Sequence, residues 1–259
     1  MLLENKVAIV SGIGPGVGQA VALACAREGA NVVLGARTEE RLRALAKEIE
    51  SNGGKVAYRP TDIRKEDDCT ALARTAVESF GGVDVLVNNA FWHGRMGEMA
   101  EMPLDMWRKA FETNLIGSLQ MTRAVTPSMT ERGGGSVVMV NTLAARQAYE
   151  EEAPYAASKG ALLTAARSLA RNLGPSGIRV NSVLPGPIWG PSLEWWFAEQ
   201  ARERGVTPEE FYASEASGTA LRHIPTSEEV AEVILFFASD LSKAVTGQTL
   251  DVNAGSYFD

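Results

Sequence analysis

The chain is poor in the residues that build covalent or metal scaffolds. Its 259 residues include two cysteines, Cys25 and Cys69, and two histidines, His93 and His223. Two thiols cannot make a disulfide framework or a zinc site, and histidines so far apart match no metal-ligand spacing. No metal is expected, and unpaired thiols fit a reducing compartment. Long apolar runs are missing as well. The richest late stretch, Val230 to Ala238, is short and contains Glu232, whereas a membrane helix needs about 18 apolar residues. The N-terminus, Met1-Leu2-Leu3-Glu4-Asn5-Lys6, lacks the basic-then-apolar order of a secretory signal. A cytoplasmic protein with no membrane partner is the expectation. A basic excess is also absent. The chain has 25 Lys and Arg against 32 Asp and Glu, a formal charge of -7, which argues against nucleic acid as a partner. What remains is ordinary globular usage, 45% apolar and 22% charged, so disorder is not expected.

Short β-branched runs alternate with longer helical patterns. The runs are Val7–Val10, Val32–Leu34, Val56–Tyr58, Val83–Val87, Val137–Val140, Val180–Leu184 and Thr249–Val252. Most lack the polar alternation of a half-exposed strand, as strands covered on both faces of a parallel sheet do. The gaps read as helices. Gln19 to Glu28 is small and apolar and stops at Gly29, and Tyr155 to Leu173 stops at Gly174-Pro175. Thr38 to Asn52 is Leu-rich, with Thr38 placed to cap it. Leu104, Trp107, Phe111 and Leu115 have the spacing of an apolar helix face. The pattern predicts an α/β fold: a doubly wound, mainly parallel seven-stranded sheet of Rossmann type, in one domain spanning 1–259. A long helical insertion at 189–224 interrupts the alternation before the last helix.

After the first run comes Ser11-Gly12-Ile13-Gly14-Pro15-Gly16-Val17-Gly18, then a helix. Glycines let backbone approach a phosphate, and a helix N-terminus offers free N–H groups and a positive dipole end. The spacing that fits is G-x-x-x-G-x-G on Gly12, Gly16 and Gly18. The second strand ends in Ala36-Arg37, about 20 residues past the loop, where a dinucleotide fold reads the adenosine ribose. An acid there would repel a 2′-phosphate, whereas a guanidinium pairs with one. NADP is therefore expected over NAD.

Tyr155-Ala156-Ala157-Ser158-Lys159 is the chain's one Y-x-x-x-K. Residues four apart share a helix face. Acid–base work by a phenol near neutral pH requires stabilising the phenolate by roughly 4 kcal/mol. One charge at contact in water supplies about 1 kcal/mol, so the site must be partly desolvated.

Taken together with Asp62-Ile63, Asn88-Asn89-Ala90, Asn114, Pro185-Gly186 and Thr246-Gly247-Gln248, these motifs resemble the short-chain dehydrogenase/reductase family over nearly the whole chain. The resemblance implies hydride transfer between a nicotinamide cofactor and a carbonyl or secondary alcohol. It implies Tyr155 as general acid or base and Lys159 as the group that lowers its pKa and holds the nicotinamide ribose. It assigns Asn114 to a water in the proton relay and Thr142, where serine is usual, to the substrate oxygen. Ser11, Gly12, Gly14, Gly16, Val17 and Gly18 would hold the phosphates, and Asp62 and Ile63 the adenine. Asn89, Ala90, Pro185, Gly186 and Ile188 would line the rest of the cofactor. A homotetramer or homodimer is also implied.

The chain departs from the family at Phe91, where glycine is usual, and at Gly190, where a threonine often binds the carboxamide. A bulky Phe91 must point away or wall the substrate site. The segment after the sixth strand covers the substrate in this family, and here it carries Trp189, Trp195 and Trp196. With Trp92, these predict a roomy apolar pocket for a bulky steroid, terpenoid or acyl carbonyl. They equally suit packing of the lid onto the body or a subunit contact. The departures also allow a catalytically silent NAD(P)-binding sensor or scaffold.

Overall fold

The computed structural model describes residues 1–147 and 149–258. Its strands are β1 (Val7–Ser11), β2 (Asn31–Ala36), β3 (Lys55–Pro60), β4 (Val85–Asn88), β5 (Gly135–Val140), β6 (Ile178–Pro185) and β7 (Thr249–Val252). They form one parallel sheet in the order β3-β2-β1-β4-β5-β6-β7. Alternating side chains along each strand feed two apolar layers. Ala8 and Val10 join one layer with Val21, Leu34, Val138 and Leu235. Val7 and Ile9 join the other with Leu72, Met121, Met139 and Leu162.

The covering helices are α1 (Val17–Arg27), α2 (Glu39–Ser51), α3 (Glu66–Phe80), α4 (Leu104–Ala110), α5 (Ser118–Glu131), α6 (Ala153–Leu173), α7 (Pro191–Arg204), α8 (Pro208–Ala216) and α9 (Ser227–Ala238). Helices α1 and α9 pack on one side of the sheet and α3 and α5 on the other. The chain order reverses between β1 and β4. Neighbouring crossovers diverge there and leave a crevice beyond the carboxyl ends of the strands.

Two local expectations fail. Thr38 occupies the position before α2, but its side chain makes no capping bond. The Leu104, Trp107, Phe111 and Leu115 stripe is not the buried one. Leu104 is 68% exposed, and the buried positions are Ala110, Asn114 and Gly117. The stripe straddles a π-helical segment, Phe111–Gly117, between α4 and α5. Its wider turn rotates the face that a 3.6-residue period would present.

The 189–224 segment forms α7 and α8, with a small core of its own. Phe197, Ala201, Phe211, Ala216 and Ile224 are buried there. Trp189 joins it to the body through backbone bridging to Thr226 and a 2.8 Å bond from its N–H to the Pro225 carbonyl.

Candidate active site

A cleft of about 890 Å³ opens over the crevice. Its floor is the glycine loop. Gly12 and Gly18 sit so close to other backbone that no side chain fits. A Cβ on Gly12 would lie 2.3 Å from the Ala90 nitrogen, and one on Gly18 would lie 2.2 Å from the Gly12 carbonyl oxygen. The Asn89 amide locks the loop by donating to that same Gly12 oxygen at 2.6 Å. Gly14 faces open space. Helix α1 starts at Val17 with no side-chain cap. Its first-turn amides, with Gly14, Gly16, Val17 and Gly18 on the cleft wall, form an anion cradle suited to a pyrophosphate. Ser11 is buried beneath, its hydroxyl unpartnered and outside the wall. It supports the loop, and the contact expected of it is not available, because β1 ends with its side chain turned into the core.

Arg37 lines one end of the cleft. Arg41 and Arg64, unremarked in the sequence, line it too. Arg37 follows β2 and Arg41 sits in the first turn of α2, four residues later in the chain. Arg64 pairs bidentately with Asp62, Nε to Oδ1 at 2.9 Å and Nη2 to Oδ2 at 2.5 Å. That pairing holds the Asp62 carboxyl below its ordinary pKa. Ile63 and Asp62 both reach the cleft. This donor set of cationic guanidinia, one fixed carboxylate and free amides fits an adenine dinucleotide.

At the other end, Thr142, Tyr155 and Lys159 line the wall together with Ala90, Pro185, Gly186 and Ile188. Tyr155 and Lys159 are buried on α6. The Tyr155 phenol hydrogen-bonds the Thr142 hydroxyl. Thr142 Oγ1 also accepts the Ala144 N–H at 3.3 Å. Burial pushes the phenol up to about 12, against the lowering effect of Thr142, and Glu152 adds a smaller push upward. Burial pushes the Lys159 ammonium down to about 7, although its Nζ donates to the Val140 carbonyl at 2.7 Å. The lowering of the phenol pKa expected from Lys159 is thus not the dominant effect. Loss of water around both groups outweighs it.

Asn114 lies wholly buried behind the wall. Its Oδ1 accepts the Trp92 N–H at 2.7 Å, and its Nδ2 donates to the Trp92 carbonyl at 3.0 Å and to Ser158 Oγ at 2.8 Å. Its side chain clamps the loop after β4, with both amide N–H groups committed and one acceptor site of Oδ1 filled.

Phe91 and Trp92 both line the cleft. The Phe91 ring sits 6.0 Å from the Tyr155 ring, with Lys159 Nζ 5.9 Å from its centroid. Phe91 therefore walls the reacting end. Trp189 also lines the cleft, but Trp195 and Trp196 do not. They are 67% and 44% exposed. The correction follows from helix geometry: Phe197 and Ala201 hold the inner face of α7, and Trp195, two residues before Phe197, falls nearly opposite it. Trp196 packs against Phe197 and Phe211. Gly190 is extended, with nothing near its Cβ position. Among the described residues, no helix is long and apolar enough to cross a membrane.

The family model described as enoyl-(acyl carrier protein) reductase matches residues 12–257. A bovine relative, dehydrogenase/reductase SDR family member 4, is 32% identical over 98% of this chain and 88% of its own. The chain belongs to the short-chain dehydrogenase/reductase family. It is an NAD(P)-dependent oxidoreductase acting on CH–OH groups. A 3-oxoacyl-(acyl-carrier-protein) reductase of Thermotoga maritima is 35% identical, over 98% of this chain and 99% of the relative. Among solved structures, a 7α-hydroxysteroid dehydrogenase complexed with NADH and 7-oxo glycochenodeoxycholic acid superposes with a TM-score of 0.86. It is 31% identical, covering 98% of this chain and 94% of that one. L-sorbose reductase of Gluconobacter frateurii, complexed with NADPH and L-sorbose, gives 0.92 at 28% identity, with 99% and 98% covered.

Proposed function

We propose that this oxidoreductase interconverts a bulky hydrophobic ketone and its secondary alcohol, of steroid, terpenoid or acyl type, with NADP preferred. The observation that carries the substrate class is the apolar enclosure of the reacting end. Phe91, Trp92, Trp189 and Leu193 line the cleft that also holds Thr142 and Tyr155. Flat aromatic walls bury a rigid apolar skeleton at little entropic cost. The hydroxysteroid dehydrogenase, whose complex carries a bile-acid derivative, supports the same reading. The family model's acyl carrier description agrees with an acyl chain.

The nicotinamide cofactor, when bound, supplies or accepts the hydride. The chain's own residues manage the proton and the orientation. Thr142 can donate to the carbonyl oxygen, since its acceptor side is occupied by the Ala144 amide. Tyr155 gives its proton to that oxygen in reduction and receives it in oxidation. Lys159 would hold the nicotinamide ribose, and Asn89, Ala90, Pro185, Gly186 and Ile188 would flank the cofactor. Residues 189–224 act as a lid over the substrate. Only its first residues face the cleft, and the rest of its aromatics pack the lid itself. The chain works as a cytoplasmic homotetramer or homodimer.

A carbonyl panel read by nicotinamide absorbance tests the substrate class. Bulky cyclic ketones are expected to outperform small polar ones in kcat/KM, and faster turnover of a small polyol ketone would overturn the reading. NADP preference rests on Arg37, with Arg41 and Arg64 beside it and no acid at the end of β2. Changing Arg37→Asp removes a charge-assisted phosphate contact and adds repulsion. It is expected to lower kcat/KM for NADPH roughly ten- to a hundredfold while sparing NADH. Equal losses with both cofactors would sink the assignment.

A further inference from the structure

We propose that His93 and Glu152 form an ion pair that sets the ionisation of Tyr155 from outside the expected catalytic residues. The proposal rests on the oxidoreductase reading of the cleft. His93 reaches the site on the loop after β4, two residues beyond Phe91, and that loop is held by the Asn114 clamp on Trp92. Its ring lies 4.6 Å from the Tyr155 ring, nearer than Phe91. Its Nε2 is 3.5 Å from Glu152 Oε1, and its Nδ1 is 3.3 Å from the Gly94 carbonyl oxygen. Both neighbours can only accept. A neutral imidazole has one N–H and satisfies one of them, whereas the imidazolium satisfies both. The geometry therefore selects the charged form and sets it against the phenol.

Glu152 precedes the first residue of α6, and its carbonyl accepts the Ala156 N–H at 2.9 Å. Its carboxylate is thus fixed beside the helix turn that carries Tyr155. The titratable groups at the imidazole are Glu152, at the cap of α6, and Tyr155 within it; Tyr149, from the preceding segment, lies in the Glu152 field. Lys109 of α4 rests over Trp92, the residue before His93. Burial raises both Tyr155 and Tyr149, and Glu152 adds a smaller push in the same direction. Glu152 also raises His93 above 6.5, more strongly than partial burial lowers it. Below the His93 pKa the pair is neutral as a whole, and the phenol does not face a bare carboxylate. As pH rises through that pKa the imidazole loses its proton. Glu152 is then uncompensated, and phenolate formation becomes harder. Alcohol oxidation needs the phenolate, so its rate below the His93 midpoint, set against the rate above it, is the readout.

The test compares His93→Gln, Glu152→Gln and the double variant with the full-length protein. Glutamine keeps an N–H for Glu152 but carries no charge. In His93→Gln alcohol oxidation is expected to fall roughly three- to tenfold below the His93 midpoint, where wild type carries the imidazolium, and to converge with wild type above it. Adding Glu152→Gln is expected to bring the rate back. A packing role predicts a loss that removal of the second charge does not restore. Two histidines give a two-signal histidine NMR spectrum, in which His93 is identified by its absence from His93→Gln. Its midpoint is expected above 6.5 and lower in Glu152→Gln. Phenolate absorbance, taken as each protein minus its Tyr155→Phe counterpart, follows Tyr155 without turnover; its midpoint is expected lower in Glu152→Gln and unmoved in His93→Gln. No loss below the His93 midpoint in His93→Gln, a loss equal at every pH, or failure of the double variant to restore the rate overturns the proposal. Coupled titrations without oxidation of any alcohol would instead refute the oxidoreductase reading and leave the pair standing.

Discussion

Tyr155→Phe is expected to lower kcat/KM by roughly 10²–10⁴ while leaving NADP(H) affinity within about twofold of wild type. The substitution removes one oxygen from a ring that stays packed between Phe91 and His93. The glycine loop and Arg37, which would carry most of the cofactor's binding, are untouched. On the proposed mechanism the proton then has no donor in reduction and no acceptor in oxidation, although Thr142 would still meet the carbonyl. Stability is expected to change little, because the lost hydrogen bond joins two hydroxyls and is replaced by apolar contact. Steady-state kinetics and fluorescence titration with NADPH measure the two quantities separately. A catalytically silent sensor on this fold would lose neither. Retained turnover in Tyr155→Phe would take the proton-transfer role away from Tyr155, and absence of turnover from wild type and variant alike would mark a binding protein.

Gly12→Ala produces the second large effect, and it acts through the backbone. The new methyl would lie 2.3 Å from the Ala90 nitrogen, 2.4 Å from its Cα and 2.8 Å from the Asn89 carbonyl carbon. All three atoms are main chain at the carboxyl end of β4, so no rotamer relieves the clash. Gly12 also has φ +100, which an alanine adopts only with strain. The loop must separate from β4, which breaks the Asn89–Gly12 lock. The expected cost is about 3 kcal/mol or more, seen as a Tm lowered by roughly 6–12 °C, with cofactor affinity falling at least tenfold. Gly14→Ala is the control: no atom lies nearer than 4.0 Å to its Cβ position, and near-wild-type stability is expected. Equal thermal behaviour of the two variants would refute the close-approach account of this loop.

Much of this site was legible one residue at a time. The glycine loop reads from its spacing, because only glycine permits such approach of loop, strand and phosphate. Tyr155 and Lys159 read from their separation, because a helix returns to the same face after four residues. The Arg37 signal depended on charge at the end of a strand. Other features had no linear trace. Trp189, Trp195 and Trp196 look equivalent in sequence, yet one lines the cleft and two do not. The difference is a rotation about the α7 axis, set by the burial of Phe197 and Ala201. The stripe from Leu104 to Leu115 also misled, since it straddles the π-helical segment, whose shifted phase no propensity announces.

The succession of strands and helices, the glycine loop and the shared helix face of Tyr155 and Lys159 were determined by the sequence alone. Each is a short-range matter of periodicity, backbone freedom or helix spacing. Only the tertiary structure decided the environment of those groups. Burial sets Tyr155 and Lys159 on opposite sides of their ordinary pKa values. A loop more than 60 residues earlier in the chain brings His93 against the phenol. Electrostatics depends on distance and on excluded water, and both are fixed by packing between segments far apart in the chain.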